Sequence, residues 1–67
     1  MSVAENIKAK REAMHLTQQE LADRVYVNQS MIAKIENGIK QPSLALARQI
    51  ANVLECTLDD LAPSQSA

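Results

Sequence analysis

The stretch NQSMIAKIENG, residues 28–38, carries a helix together with its start and stop signals. Asn28 is a strong N-cap, because its side-chain oxygen can accept an early backbone N–H. Gly38 is the only glycine in the chain and stands where a helix would end in a left-handed conformation. Between them Ile32 and Ile35 fall on one helical face, whereas Gln29, Ser30, Ala33, Lys34 and Asn37 fall elsewhere. The outer face is short, uncharged at its front, and rich in amides and hydroxyls. Such groups suit hydrogen bonding to base edges in a DNA major groove. Polar helix faces are usually just solvated, so the flanking chain must supply the rest of the case.

Upstream, Thr17 and Glu20 have capping-box spacing, and Leu16 and Leu21 have the spacing of a hydrophobic staple. They predict a second helix over residues 18–25, buried along Leu21, Ala22 and Val25. Only Tyr26 and Val27 separate it from the Asn28 cap. Helices joined so tightly cannot lie antiparallel and must cross steeply. Val27 and Ile32 repeat the staple spacing. A first helix is predicted over residues 3–14, with Ser2 and Glu5 as its capping box and Ala4, Ile7, Arg11 and Met14 on one face. An arginine on that inner face needs a partner if it is buried.

Downstream, Pro42 closes a loop and Ser43 caps a fourth helix over residues 44–54, its inner stripe Leu44, Ala47, Ile50, Ala51 and Leu54. Thr57 and Asp60 cap a last short helix over residues 58–62, with Cys56 and Leu61 at staple spacing, and Pro63 stops it. The expectation is an all-α, compact five-helix bundle over residues 1–63 and a disordered C-terminal tail at residues 64–67.

The composition bounds function as well as fold. At 67 residues the chain has room for one small domain. Hydrophobic residues make up 46% and aromatics 1%, so the core must be aliphatic. A lone cysteine, Cys56, cannot form an internal disulfide, and no segment resembles a signal peptide or a membrane span, which together suggest the cytoplasm. The net charge is −1, which counts against a nucleic-acid ligand. The charge is uneven, however: the chain is +2 through Arg48 and −3 after it, where Glu55, Asp59 and Asp60 lie. One end can therefore face phosphates while the other faces away. Paired carboxylates in a pocket, a metal-ligand cluster, a glycine-rich phosphate loop and a nucleophile beside a base are all missing from the sequence, so no enzyme, metal or cofactor is expected.

LTQQELADRVYVNQSMIAKIENGIKQPS at residues 16–43, followed by IANVLECTLDDL at 50–61, resembles the Cro/C1-type helix-turn-helix of phage repressors and small bacterial regulators. The resemblance rests on Leu16, Gln18, Leu21, Ala22, Val27, Ile32, Ile35, Glu36, Gly38, Pro42, Ile50, Ala51, Leu54 and residues 58–61 at fixed spacing. It implies a lambda-repressor-like bundle whose third helix enters the major groove. It implies base reading by Gln29, Ser30, Ala33 and Lys34, with Gln18 supporting Gln29 and touching phosphate. Phosphate contacts are expected from Thr17, Gln18, Asn28, Asn37, Gly38 and Lys40, while Lys8 and Arg48 read as solvated charges. It also implies an ion pair between Arg11 and Glu36, against the plainer alternative of two separately solvated charges.

The family usually has glycine where this chain has His15, Tyr26 and Glu55, so those turns are either strained or rebuilt. Met31 has two possible homes, the groove edge or the core. The expected partner is double-stranded DNA carrying a palindromic operator, bound by a homodimer acting as a repressor. Leu46, Val53, Leu58 and Leu61 are the candidate dimer patch. The competing expectation is a protein-interaction module, an antitoxin or adaptor, whose DNA face is unused.

Overall fold

The computed structural model describes residues 2–63, so the tail expected to be disordered lies outside the described residues. Five helices run in order: α1 (Val3–Ala13), α2 (Gln18–Arg24), α3 (Gln29–Glu36), α4 (Leu44–Val53) and α5 (Leu58–Leu61). No strand occurs among the described residues. α3 packs between α2 and α1, α5 lies across α1 and α4, and α4 also reaches α2.

Each helix begins on a side chain that closes its first turn. Ser2, Thr17 and Thr57 form complete capping boxes with Glu5, Glu20 and Asp60, while Asn28 and Ser43 accept single N–H bonds from Met31 and Leu46. Such caps are worth about 1 kcal/mol each, a large gain for helices this short.

The helix ends are equally regular. The expected last residues Met14, Val25 and Leu54 are C-caps, one step beyond the helix proper, and Ala62 caps α5. His15, Tyr26 and Glu55 follow at φ 58°, 60° and 56°, and Gly38 follows α3 at φ 76°. The turns thus keep the left-handed residue even where glycine is missing. The reason lies in the next residue. After α1, the His15 N–H donates to the Glu12 carbonyl at 2.9 Å and the Leu16 N–H to the Arg11 carbonyl at 3.1 Å. The same pair of bonds recurs at Tyr26 and Val27, at Gly38 and Ile39, and at Glu55 and Cys56. This is the Schellman motif, which satisfies carbonyls left open at a helix end.

At three of these junctions the apolar residue after the left-handed position does double service. Leu16, Val27 and Cys56 each also precede the next N-cap, where they staple onto Leu21, Ile32 and Leu61. Leu16 is buried and the other two are half-buried against the core. The chain can therefore turn in four residues without losing apolar contact. After α3 the pattern opens: Ile39 is 74% exposed, and a longer loop leads to Ser43.

The core is Ile7, Leu16, Leu21, Ala22, Val25, Ile32, Ile35, Ile50, Ala51, Leu54 and Leu61. Met31 packs inward against it, which decides between its two homes. Two expectations are corrected. Leu44 was placed on the inner stripe of α4 but is 64% exposed. It is the first residue of that helix, and instead of a covering element it meets an open groove of about 310 Å³ bordered by Val3, Pro42, Ala47, Leu58 and Ala62. Leu61 was placed in the dimer patch but is 3% exposed. As the staple partner of Cys56 it faces inward and has no surface to offer a second chain.

Candidate nucleic-acid interface

At 100° per residue, Gln29, Ser30, Ala33, Lys34 and Asn37 span an arc of about 140° on α3. Met31, Ile32, Ile35 and Glu36 occupy the opposite arc, which explains the division of labour: Ile32 and Ile35 are fully buried, and Glu36 is buried with them. Gln29, Ser30, Lys34 and Asn37 are exposed, and Ala33 is half-buried between them. With eight residues, α3 is about 12 Å long, matching the width of a B-DNA major groove.

Four of the expected site residues, Arg11, Gln18, Gln29 and Glu36, are joined by one hydrogen-bond network. The Arg11 guanidinium donates from Nε to Glu36 Oε2 at 2.7 Å and from Nη2 to Glu36 Oε1 at 3.0 Å. Its Nη1 donates to the Leu16 carbonyl at 2.6 Å. Since the Leu16 N–H donates to the Arg11 carbonyl, Arg11 holds the α1–α2 junction from both sides. The bonds to Glu36 raise the Arg11 pKa further above its ordinary value. The Glu36 side chain is 1% exposed, yet its Oε1 also accepts from Gln18 Nε2 at 3.1 Å. Gln18 Oε1 in turn accepts from Gln29 Nε2 at 2.8 Å. A continuous chain of donors and acceptors thus runs from α1 through the buried carboxylate to the first residue of α3. The Gln29 Oε1 and the second Nε2 hydrogen stay free on the exposed side. Among the described residues, no buried side-chain nitrogen or oxygen lacks a partner.

The contact between Glu36 and Gln18 was not legible in the sequence. Gln18 stood out through its likeness to Gln29 and Glu36 through Arg11, with no signal that the two groups meet. Asn6 was missed entirely. Its Nδ2 donates to the Leu61 carbonyl at 3.2 Å and the Ala62 carbonyl at 2.8 Å, tying the end of α5 to α1.

Around this network lie the other expected contacts. Asn28 Oδ1 is taken by the Met31 N–H at 2.8 Å, leaving its amide nitrogen free. Thr17 and Glu20 satisfy each other's backbone N–H groups, so the start of α2 already holds a carboxylate. Accepting the Thr17 N–H keeps that carboxylate below its ordinary pKa. Asn37, Gly38 and Lys40 are exposed at the far end of α3. Arg11–Glu36 is the one ion pair among the described residues, so Lys34 and Lys40 carry uncompensated charge. Leu46, Val53 and Leu58 are half-buried and rest on the core. No metal-binding group of His, Cys, Asp or Glu occurs among the described residues. No helix among them is long and apolar enough to cross a membrane.

Known proteins share the fold. A family model described as helix-turn-helix matches residues 7–61. An uncharacterized HTH-type transcriptional regulator of Archaeoglobus fulgidus is 42% identical over 55 residues, which span 82% of this chain and 78% of that protein. The P22 c2 repressor, crystallised with a synthetic operator, shares the fold at a TM-score of 0.90 and 23% identity, over 97% of this chain and 98% of that one. SinR, a master regulator for biofilm formation crystallised with DNA, matches at a TM-score of 0.83 and 25% identity, over 88% and 95% of the two chains. The family match spans most of the chain, α2 and α3 included, and the chain belongs to the helix-turn-helix family.

Proposed function

We propose that the chain is a sequence-specific DNA-binding transcriptional regulator, acting as a repressor, that reads the major groove of an operator with α3. The observation that carries this reading is the hydrogen bond from Gln29 to Gln18. It fixes an otherwise mobile amide at the tip of the outward helix and leaves one acceptor and one donor free. Adenine offers the complementary pair, N6–H and N7. Ser30 and Lys34 extend the reading face, and Ala33 offers its methyl to a thymine methyl.

Thr17, Gln18, Asn28, Asn37, the Gly38 backbone and Lys40 contact phosphates and set the register without reading sequence. Their positions at the two ends of the α2–α3 pair support this role, since a groove is flanked by phosphates on both sides. One α3 reads only a few base pairs, so useful affinity calls for two copies on a palindromic site. Leu46, Val53 and Leu58 form the apolar contact of the homodimer. Such a regulator acts in the cytoplasm, where the duplex is.

Selection of bound fragments from random duplex DNA at physiological salt tests the proposal. The expected result is an enriched palindrome whose half-sites are about one helical turn apart. Absence of enrichment, with a protein partner recovered by pull-down, would replace it with an interaction module.

A further inference from the structure

Glu36 accepts hydrogen bonds from both Arg11 and Gln18, and Gln18 accepts one from Gln29. An ionised carboxylate can only accept, whereas a glutamine amide has one accepting and one donating end. We propose that buried Glu36 is a specificity-determining positioning residue. By accepting only, it fixes which way round the Gln18 amide sits, and through it which end of the Gln29 amide faces the DNA.

Glu36 Oε1 admits only the Nε2 end of Gln18. Gln18 then turns its Oε1 toward Gln29, which can meet an acceptor only through its own Nε2. Gln29 therefore faces outward with Oε1 and a single remaining Nε2 hydrogen, the pair that adenine complements. If the relay ran the other way, Gln29 would bind Gln18 through Oε1 and turn its NH2 group outward. That arrangement suits an edge with two acceptors, such as guanine O6 and N7. The Glu36 side chain is only 1% exposed, which keeps water from supplying alternative partners, and its remaining contacts are the donors of Arg11. A base preference is thus set by a residue that lies inside the core and touches no DNA.

This inference rests on Gln29 being a base-reading residue, and the experiment separates the two. Base preference is measured by selection from random duplex DNA for the wild type, Gln29→Ala, Gln18→Ala, Gln18→Lys and Glu36→Gln, with folding checked by circular dichroism. Gln29→Ala identifies the position that Gln29 reads; no change at any position would remove the underlying reading itself. At that position the wild type should favour adenine over guanine by about 5- to 150-fold, the range one bidentate contact supplies.

Gln18→Ala should bring the ratio toward one. Gln18→Lys should invert it, because lysine carries donors only: it can pair with Glu36, but it meets Gln29 only through Oε1. A purely mechanical support would make the lysine and alanine variants behave alike, and that outcome overturns the proposal. Glu36→Gln can donate or accept, so it should lower the ratio at this position alone by several-fold; retention of the wild-type ratio counts against the relay.

If the Glu36 variant fails to fold, the free wild-type protein still decides. The side-chain amide hydrogens of Gln18 should exchange more slowly than those of Gln19, which bonds to Asp23 at the surface. Equal rates would mean that Gln18 is not held by Glu36.

Discussion

Arg11 Nε lies 2.7 Å from Glu36 Oε2, joining α1 to the last residue of α3 across 25 positions of sequence. Both side chains are at least nine-tenths buried, so each depends on the other to be tolerated inside an aliphatic core. Removing one partner leaves an uncompensated charge. Glu36→Ala is expected to cost about 3–5 kcal/mol in urea denaturation. Replacing both, Arg11→Met with Glu36→Leu, should cost much less than the sum of the singles, because no unpaired charge remains. A small loss in the single variant would show that water reaches the site.

The left-handed turns offer a second measurement. His15, Tyr26 and Glu55 hold a φ near 60° that favours glycine. Tyr26→Gly removes a side chain that is 90% exposed and packs on little, so it should stabilise the protein by up to about 1 kcal/mol. Gly38→Ala should do the reverse by a similar amount. A Cβ there would meet nothing within 4 Å, so backbone strain alone sets the loss. Thermal midpoints that move in the same direction for both variants would contradict this.

Acid should weaken the helix starts. Glu5, Glu20 and Asp60 accept the backbone N–H groups of Ser2, Thr17 and Thr57, and these bonds hold their pKa values below the ordinary ones. A carboxylate depressed in the folded state contributes stability that is complete above its unfolded pKa, about 4. That contribution is lost as pH falls through the lower folded value. The urea midpoint should therefore be level near pH 6 and fall below about pH 4. The combined variant Glu5→Gln, Glu20→Gln and Asp60→Asn should flatten part of that fall, since amides accept the same bonds without titrating. An unaltered acid limb would assign it to other groups.

On DNA, the two ends of α3 should behave differently. Gln29→Ala should cost roughly 1–3 kcal/mol on the operator and relax the preference at one position per half-site. Lys40→Ala should weaken binding to all sequences alike and reduce the salt slope by about one. Fluorescence anisotropy across a salt series, on operator and scrambled duplexes, measures both. An unchanged slope would mean that Lys40 meets no phosphate.

The sequence by itself determined the helices, their caps and the α2–α3 pair. Those features depend on groups three to five residues apart: Thr17 with Glu20, Leu16 with Leu21, Val27 with Ile32. Contacts that short are nearly independent of the rest of the fold, so spacing is enough to read them. The family resemblance added the site residues and flagged His15, Tyr26 and Glu55 as departures. Only the tertiary structure decided whether the turns kept their shape there, which of the leucines of α4 and α5 went inward, and what the buried amide and carboxylate groups bind. Leu44 and Leu61 could not be placed from periodicity, because burial at a helix end depends on which neighbour covers it. Gln18 and Glu36 lie 18 positions apart and Asn6 and Ala62 lie 56 apart. Partners so distant are chosen by how the packed helices bring them together, and no local pattern encodes that meeting.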